Sequence, residues 1–327
     1  MGGCTSQKSA EQETIQEIGR ISLMDVVPDT LLANVIDYLI TPSGAIYLAD
    51  ARLQHIVFLD EDRNFLRVVG RSGQGPGEFQ MPYRIALVSD TLMVWDRMIG
   101  CLEYFTSDGN FLHMTRPDPI ISPSSLVRMS DDGRLLVSTF GIGAEYLIRV
   151  YNRQLSGFSP LGALEVPSTS AMLMSLSKSD ARSKKIPYGL KNRAFAIHAS
   201  DGGMILIHFT IPIYKKYDSF GSELWRFEQD LPQLQVIRDN VFDSILQENT
   251  RGSINYWRGG VSDGEGGCYL QLSSLNKITL FHLKADGTLG EPIEGPEGNW
   301  GTLRRYNGDL WFLNGDTLEL MQLKVGH

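Results

Sequence analysis

Six times along this chain a short polar turn leads into a run of strand-forming residues. Ser43-Gly44 precedes Ala45–Asp50, Asp90 precedes Leu92–Asp96, and Asp132-Gly133 precedes Leu135–Val137. Asp201-Gly202 precedes Met204–Ile207, Asp263-Gly264 precedes Cys268–Leu270, and Asn307-Gly308 precedes Leu310–Leu313. Asx-Gly pairs supply the positive-φ positions of tight hairpin turns, so each pair marks two antiparallel strands in succession.

Strand-built units recurring every ~40 to 50 residues are the blades of a β-propeller. The expected fold class is therefore all-β, a single six-bladed β-propeller. Blade one is the most regular, with strands at Val35–Ile40, Ile46–Asp50, His55–Leu59 and Phe65–Val69. Blade six offers only three strands before the chain stops, at Thr302–Tyr306, Leu310–Leu313 and Leu318–Leu323. A propeller leaves no sheet edge open. Ile18–Val26 is expected to supply the missing outer strand and close the ring. This divides the chain into an N-terminal tether, residues 1–17, and a propeller, residues 18–327. Two inter-blade intervals are long and hold insertions at 167–193 and 232–253. The second carries Val236, Ile237, Val241, Ile245 and Leu246 at helical spacing.

A net charge of −8 disfavours nucleic acid as a partner, and no run of 18 apolar residues exists to span a membrane. Three cysteines make no disulfide framework. Cys4 follows Gly2-Gly3 as it would at the end of a bacterial lipobox; Met1-Gly2 with Ser6 also fits an N-myristoylation pattern. Cys4 is thus a candidate lipidation site, and a lipid there would be the chain's one link to a membrane. The expected location is a bacterial cell envelope, periplasmic or surface.

The run Gly70-Arg71-Ser72-Gly73-Gln74-Gly75-Pro76-Gly77-Glu78-Phe79-Gln80-Met81-Pro82 resembles the inter-blade linker of NHL-repeat six-bladed propellers, in which G-x-G-x-G-P-G-E-F-x-x-P precedes the inner strand. Ile46–Asp50 and Val57–Asp60 are similar to the same family's pattern. The resemblance covers blade one and the linker best, blades two and five fairly, and the others loosely. It implies bacterial relatives, many secreted or lipid-anchored. It also implies an enzyme alternative, since some six-bladed relatives act as lactonases or lyases through a channel-bound calcium or zinc.

Linkers into inner strands and loops between second and third strands share one face of a propeller, and both insertions fall there. Arg84, Arg128, Arg258 and Arg304, with Tyr38 and Trp257, are the expected ligand-binding residues around the channel mouth. Converging guanidinium groups suit a carboxylate, phosphate or sugar acid. Asp50 and Asp96 are expected to hold their loops rather than a ligand. Tyr214, Tyr217, Tyr256, Trp257 and Trp300 are candidates for an exposed aromatic surface. Asn34, Asp37 and His198 are the inner-strand residues that would serve a metal, and they do not recur at matched positions. The expected role is a non-catalytic scaffold, without catalytic residues, metal or other cofactor, recognising a peptide, protein or carbohydrate on the insertion-bearing face. The metal-dependent lactonase- or lyase-like enzyme stands as the alternative.

Overall fold

The computed structural model describes residues 13–139, 144–167, 175–273 and 276–326. Cys4 and most of the tether, and residues 168–174 of the first insertion, lie outside the described residues.

Six four-stranded antiparallel sheets form the six blades of the propeller. Blade one is β2–β5 (Val35–Ile40, Ile46–Asp50, His55–Leu59, Phe65–Val69) and blade two β6–β9 (Pro82–Val88, Thr91–Asp96, Cys101–Thr106, Phe111–Thr115). Blade three is β10–β13 (Val127–Met129, Leu135–Ser138, Tyr146–Tyr151, Phe158–Ala163) and blade four β14–β17 (Ala194–His198, Met204–His208, Ile213–Tyr217, Glu223–Glu228). Blade five is β18–β21 (Trp257–Ser262, Cys268–Leu272, Lys277–Leu283, Ile293–Glu297). Blade six joins β22–β24 (Leu303–Tyr306, Asp309–Asn314, Glu319–Gly326) to β1 (Thr14–Ser22) from the other end of the chain.

The closing strand pairs as the sequence requires but sits four residues earlier. β1 runs antiparallel to β24 from Thr14↔Gly326 to Ser22↔Glu319, and Leu23–Val26 forms a short helical turn, α1, instead of strand. Thr14–Glu17, which the sequence reading assigned to the tether, thus belong to the sheet. Ile21 and Leu23 are buried against blades six and one. Blade five also departs from expectation. The sequence places its inner strand at Ile254–Trp257, but the strand runs Trp257–Ser262 and contains Gly259-Gly260. Two adjacent glycines weaken the strand signal, which is why the sequence hides this element.

The turns behave as their residues dictate. Asn307 and Gly308 both adopt positive φ (50° and 88°) in the two-residue turn between β22 and β23. Asp50 and Asp96, each buried at the end of a second strand, hold their loops. One oxygen of Asp96 accepts the N–H groups of Gln80 and Met81, and the other those of Met98 and Ile99. Asp50 does the same with Ala33, Asn34, Arg52 and Leu53. A carboxylate with four backbone donors has no lone pair free for a ligand.

In the glycine-rich linker, Phe79 is fully buried and packs between blades one and two with Val69, Ile85 and Phe105. A Cβ on Gly70 would stand 2.3 Å from the Phe79 ring, so the linker needs glycine there. Below it lies buried Glu103 of β8. Its Oε2 accepts the Gly77 N–H at 2.9 Å, and its Oε1 has no partner among the described residues. Burial, opposed by that hydrogen bond, pushes the Glu103 carboxyl up from 4.5 to about 7. The folded chain therefore binds this proton more tightly than the unfolded chain. Stability from this group is complete below pH 4.5 and is lost as pH rises through about 7. E103Q keeps the acceptor and removes the charge. It should be more stable than the parent by about 3 kcal/mol near pH ~8 and by less than about 1 kcal/mol near pH ~5. Urea midpoints at both pH values check this; equal gains at both would contradict it.

α4 (Pro232–Glu248) fills the linker from blade four to blade five, and α2 (Lys178–Ser183) and α3 (Tyr188–Lys191) the linker before it. α4 buries Leu234, Phe242 and Ile245, whereas Val236 is exposed, so its apolar stripe is rotated from the one read in the sequence. Lys184 of the first insertion pairs with Asp239 of α4, joining the two insertions on one face.

Candidate functional site

The six inner strands surround a central channel, and residues from all six line a cavity of about 140 Å³. Blade one contributes Asp37, blade two Arg84, blade three Arg128, blade four Ala196 and His198, blade five Arg258 to Ser262, and blade six Arg304 and Arg305. All four arginines expected at the mouth are brought together here.

They are not equivalent. The Arg304 terminal nitrogen lies 2.8 Å from both oxygens of Asp37 and 3.1 Å from the Ile85 carbonyl. Asp37 is fully buried and also accepts the Ile85 N–H, so this pair ties blades one, two and six. Arg258 donates to the Trp300 carbonyl and to Asn299 Oδ1. Arg84 donates to the Tyr83 carbonyl and lies over the Tyr83 ring at 4.2 Å. Arg128 has no ion pair and no hydrogen bond among the described residues. Its buried Nε is unpartnered, and its guanidinium rests on the Phe195 ring at 4.3 Å. Burial, and next the positive charge of Arg84, push Arg128 down to about 9, which still leaves it a cation at neutral pH.

Gly259 and Gly260 make room for this arrangement. A Cβ on Gly259 would lie 3.2 Å from an Arg128 terminal nitrogen, and one on Gly260 would meet Ile197 at 2.7 Å. No periodicity in the sequence announces this role. The pair is recognisable only once the strand is placed.

On the insertion-bearing face the channel opens into a vestibule of about 430 Å³ that shares Arg258 with the cavity. Tyr83, Arg97, Arg193, Phe209 and Asn255 line it, together with Ser124, Ser125 and Ser273. The Tyr83 ring lies between two guanidinium groups, since Arg97 is also 4.8 Å from its centre. At the opposite end stand Asp131, Asp132, His198 and Arg305. Burial lowers the pKa of His198, so it is neutral at pH 7.

Two expected ligand residues are corrected. Tyr38 is fully buried in the core between blades six and one, because neighbours along a strand face opposite ways and Asp37 takes the channel side. Trp257 is 1% exposed and packs on Tyr214 and Phe281, presenting only an edge to the vestibule. The expected aromatic surface is likewise absent, since Tyr214, Tyr217, Tyr256 and Trp300 are all buried between blades. Of the inner-strand residues that would serve a metal, Asp37 is held by Arg304, and Asn34 gives its backbone N–H to Asp50. Among the described residues, no three His, Cys, Asp or Glu side chains stand close enough to share a cation. His198 and His208 do not meet, for their positions along the β14–β15 ladder are four residues apart.

No family model and no curated protein matches the sequence. Solved structures do share the fold. A member of the duf4221 family from Bacteroides vulgatus matches with a TM-score of 0.56 at 10% identity, over 97% of this chain and 97% of its own. A protein from Bacteroides fragilis named as exported matches at 0.55 and 10% identity, over 96% and 94%. A gluconolactonase from Xanthomonas campestris matches at 0.54 and 10% identity, over 97% and 96%. These likenesses concern the six-bladed scaffold, on which unrelated functions are built.

Proposed function

We propose that this propeller is a non-catalytic binding module that grips the negatively charged end of a peptide or carbohydrate through its channel arginines, the ligand entering by the vestibule on the insertion-bearing face. The observation that carries this reading is Arg128. A guanidinium held deep in a protein without a counter-charge costs stability, and such a group is kept for what it binds. The cavity's size sets the scale of recognition. About 140 Å³ holds roughly six heavy atoms, so only an end group enters while the rest of the ligand stays in the vestibule. We also place the protein at a bacterial cell envelope, with Cys4 as lipid carrier; an intact-mass measurement on native protein would show or exclude the lipid.

Stability and binding should move in opposite directions at Arg128. R128M removes an uncompensated charge and keeps an apolar stem over Phe195, so its urea midpoint should rise, by the equivalent of about 1 kcal/mol or more. The same variant should lose binding of anions that the parent takes up at low ionic strength, measured by calorimetry with acetate, glucuronate, phosphate and a peptide with a free carboxy-terminus. An R128M protein that is strongly destabilised, with anion uptake unchanged, would make Arg128 a structural residue and end this reading.

A further inference from the structure

We propose that the group entering the channel is a tetrahedral dianion, the phosphoryl end of a phosphate monoester. This rests on the anion-binding reading above and narrows it. Charge is the first reason. Five arginines against two aspartates line the cavity, leaving three positive charges in a chain whose net charge is −8. A single carboxylate would leave most of that excess unanswered in a confined space.

Direction is the second reason. A carboxylate has two oxygens in one plane and is satisfied by one guanidinium fork or two coplanar ones. Here the cations come from separate blades around the axis: Arg84 from blade two, Arg128 from blade three, Arg258 from blade five and Arg304 from blade six. Donors arriving from several sides match the three terminal oxygens of a phosphoryl group. The cavity accommodates that group with one or two further atoms, and the serine, asparagine and tyrosine side chains of the vestibule would meet a polar body attached to it.

The test uses the full chain with methyl phosphate, sulfate, malonate and acetate, followed by calorimetry. Methyl phosphate and sulfate should bind at least about tenfold more tightly than malonate or acetate. Between about pH 5 and about pH 7.5 the affinity for methyl phosphate should rise about tenfold, following its second ionisation near pH ~6. Sulfate, which does not titrate there, should show no such rise. The channel's own groups cannot imitate this trend. His198, Asp37, Asp131 and the arginines face the cavity, and any proton taken up among them as pH falls adds positive charge and would strengthen anion binding, the opposite sign. R84M and R128M should each weaken methyl phosphate by about tenfold or more.

Malonate or acetate binding as tightly as methyl phosphate would overturn the phosphoryl assignment and leave the anion site standing. A methyl phosphate affinity that is flat or falls with rising pH would overturn it equally. Absence of binding by all four probes would remove both readings.

Discussion

A chain lacking residues 1–22 is expected not to fold to a stable monomer. The deletion takes away β1, and with it the ladder to β24, the buried side chain of Ile21 and the partly buried one of Ile15. Burial of Ile21 alone stabilises by about 1.5 to 3 kcal/mol, and Ile15 and the lost ladder add to it, a large share of the net stability of many domains. β24 would become an open edge, which invites pairing between molecules. The expected readouts are lost urea cooperativity and aggregates on size-exclusion chromatography. A control separates loss of the strand from loss of the chain end. Thr14 lies opposite Gly326, so residues 14–22 can be appended after Gly326 through an Asn-Gly turn. That permuted chain, starting at Leu23, should recover a cooperative transition. A truncated protein that unfolds cooperatively near the parental midpoint would show that ring closure does not depend on β1.

The second large effect is expected at Glu165. This buried carboxylate follows β13 and crosses to blade four, where Oε1 lies 2.5 Å from Lys215 Nζ and 3.3 Å from His208 Nε2. Its Oε2 takes Arg226 at 2.8 Å. Lys215 and His208 are both buried, and His208 also engages the Lys191 carbonyl of the first insertion. Burial would raise the Glu165 carboxyl, but His208 and Lys215 outweigh it and hold it down at about 2. The group therefore contributes stability above pH 4.5, lost as pH falls through about 2. E165Q leaves Lys215 in the interior without a counter-charge, a change that costs about 3–5 kcal/mol. Urea denaturation near neutral pH should show that loss, and the gap to the parent should shrink on acidification. E165Q combined with K215M should recover a substantial part of it. A loss under about 1 kcal/mol for E165Q would mean that water already compensates Lys215.

Most of the scaffold was legible because it rests on local chemistry. Blade one falls at its expected strands because alternating apolar runs and Pro-Ser-Gly or Asp-Glu-Asp turns coincide there, and Asp50 and Asp96 take the structural part their position suggests. The channel arginines were legible as a set, since each lies near the start of an inner strand. What stayed hidden depends on which way a side chain points. Tyr38 and Asp37 are neighbours in sequence, yet one is core and the other channel, and a bulge between Val35 and Asp37 decides which. Trp257 opens the strand that Gly259-Gly260 conceals, and Tyr256, just before it, is buried rather than presented to solvent. The ion pair between Asp37 and Arg304 spans nearly the whole chain, and no local pattern encodes it.

A ring fastened by its two ends also fixes an order of events during synthesis. β1 leaves the ribosome about 300 residues ahead of its partner β24, some 15 to 60 seconds earlier at typical elongation rates. Earlier blades have their own four strands and can form meanwhile, whereas the first strand must wait unpaired. Glu17 and Arg20, exposed and paired with each other, place charge on it through that interval and oppose its capture by a neighbouring chain.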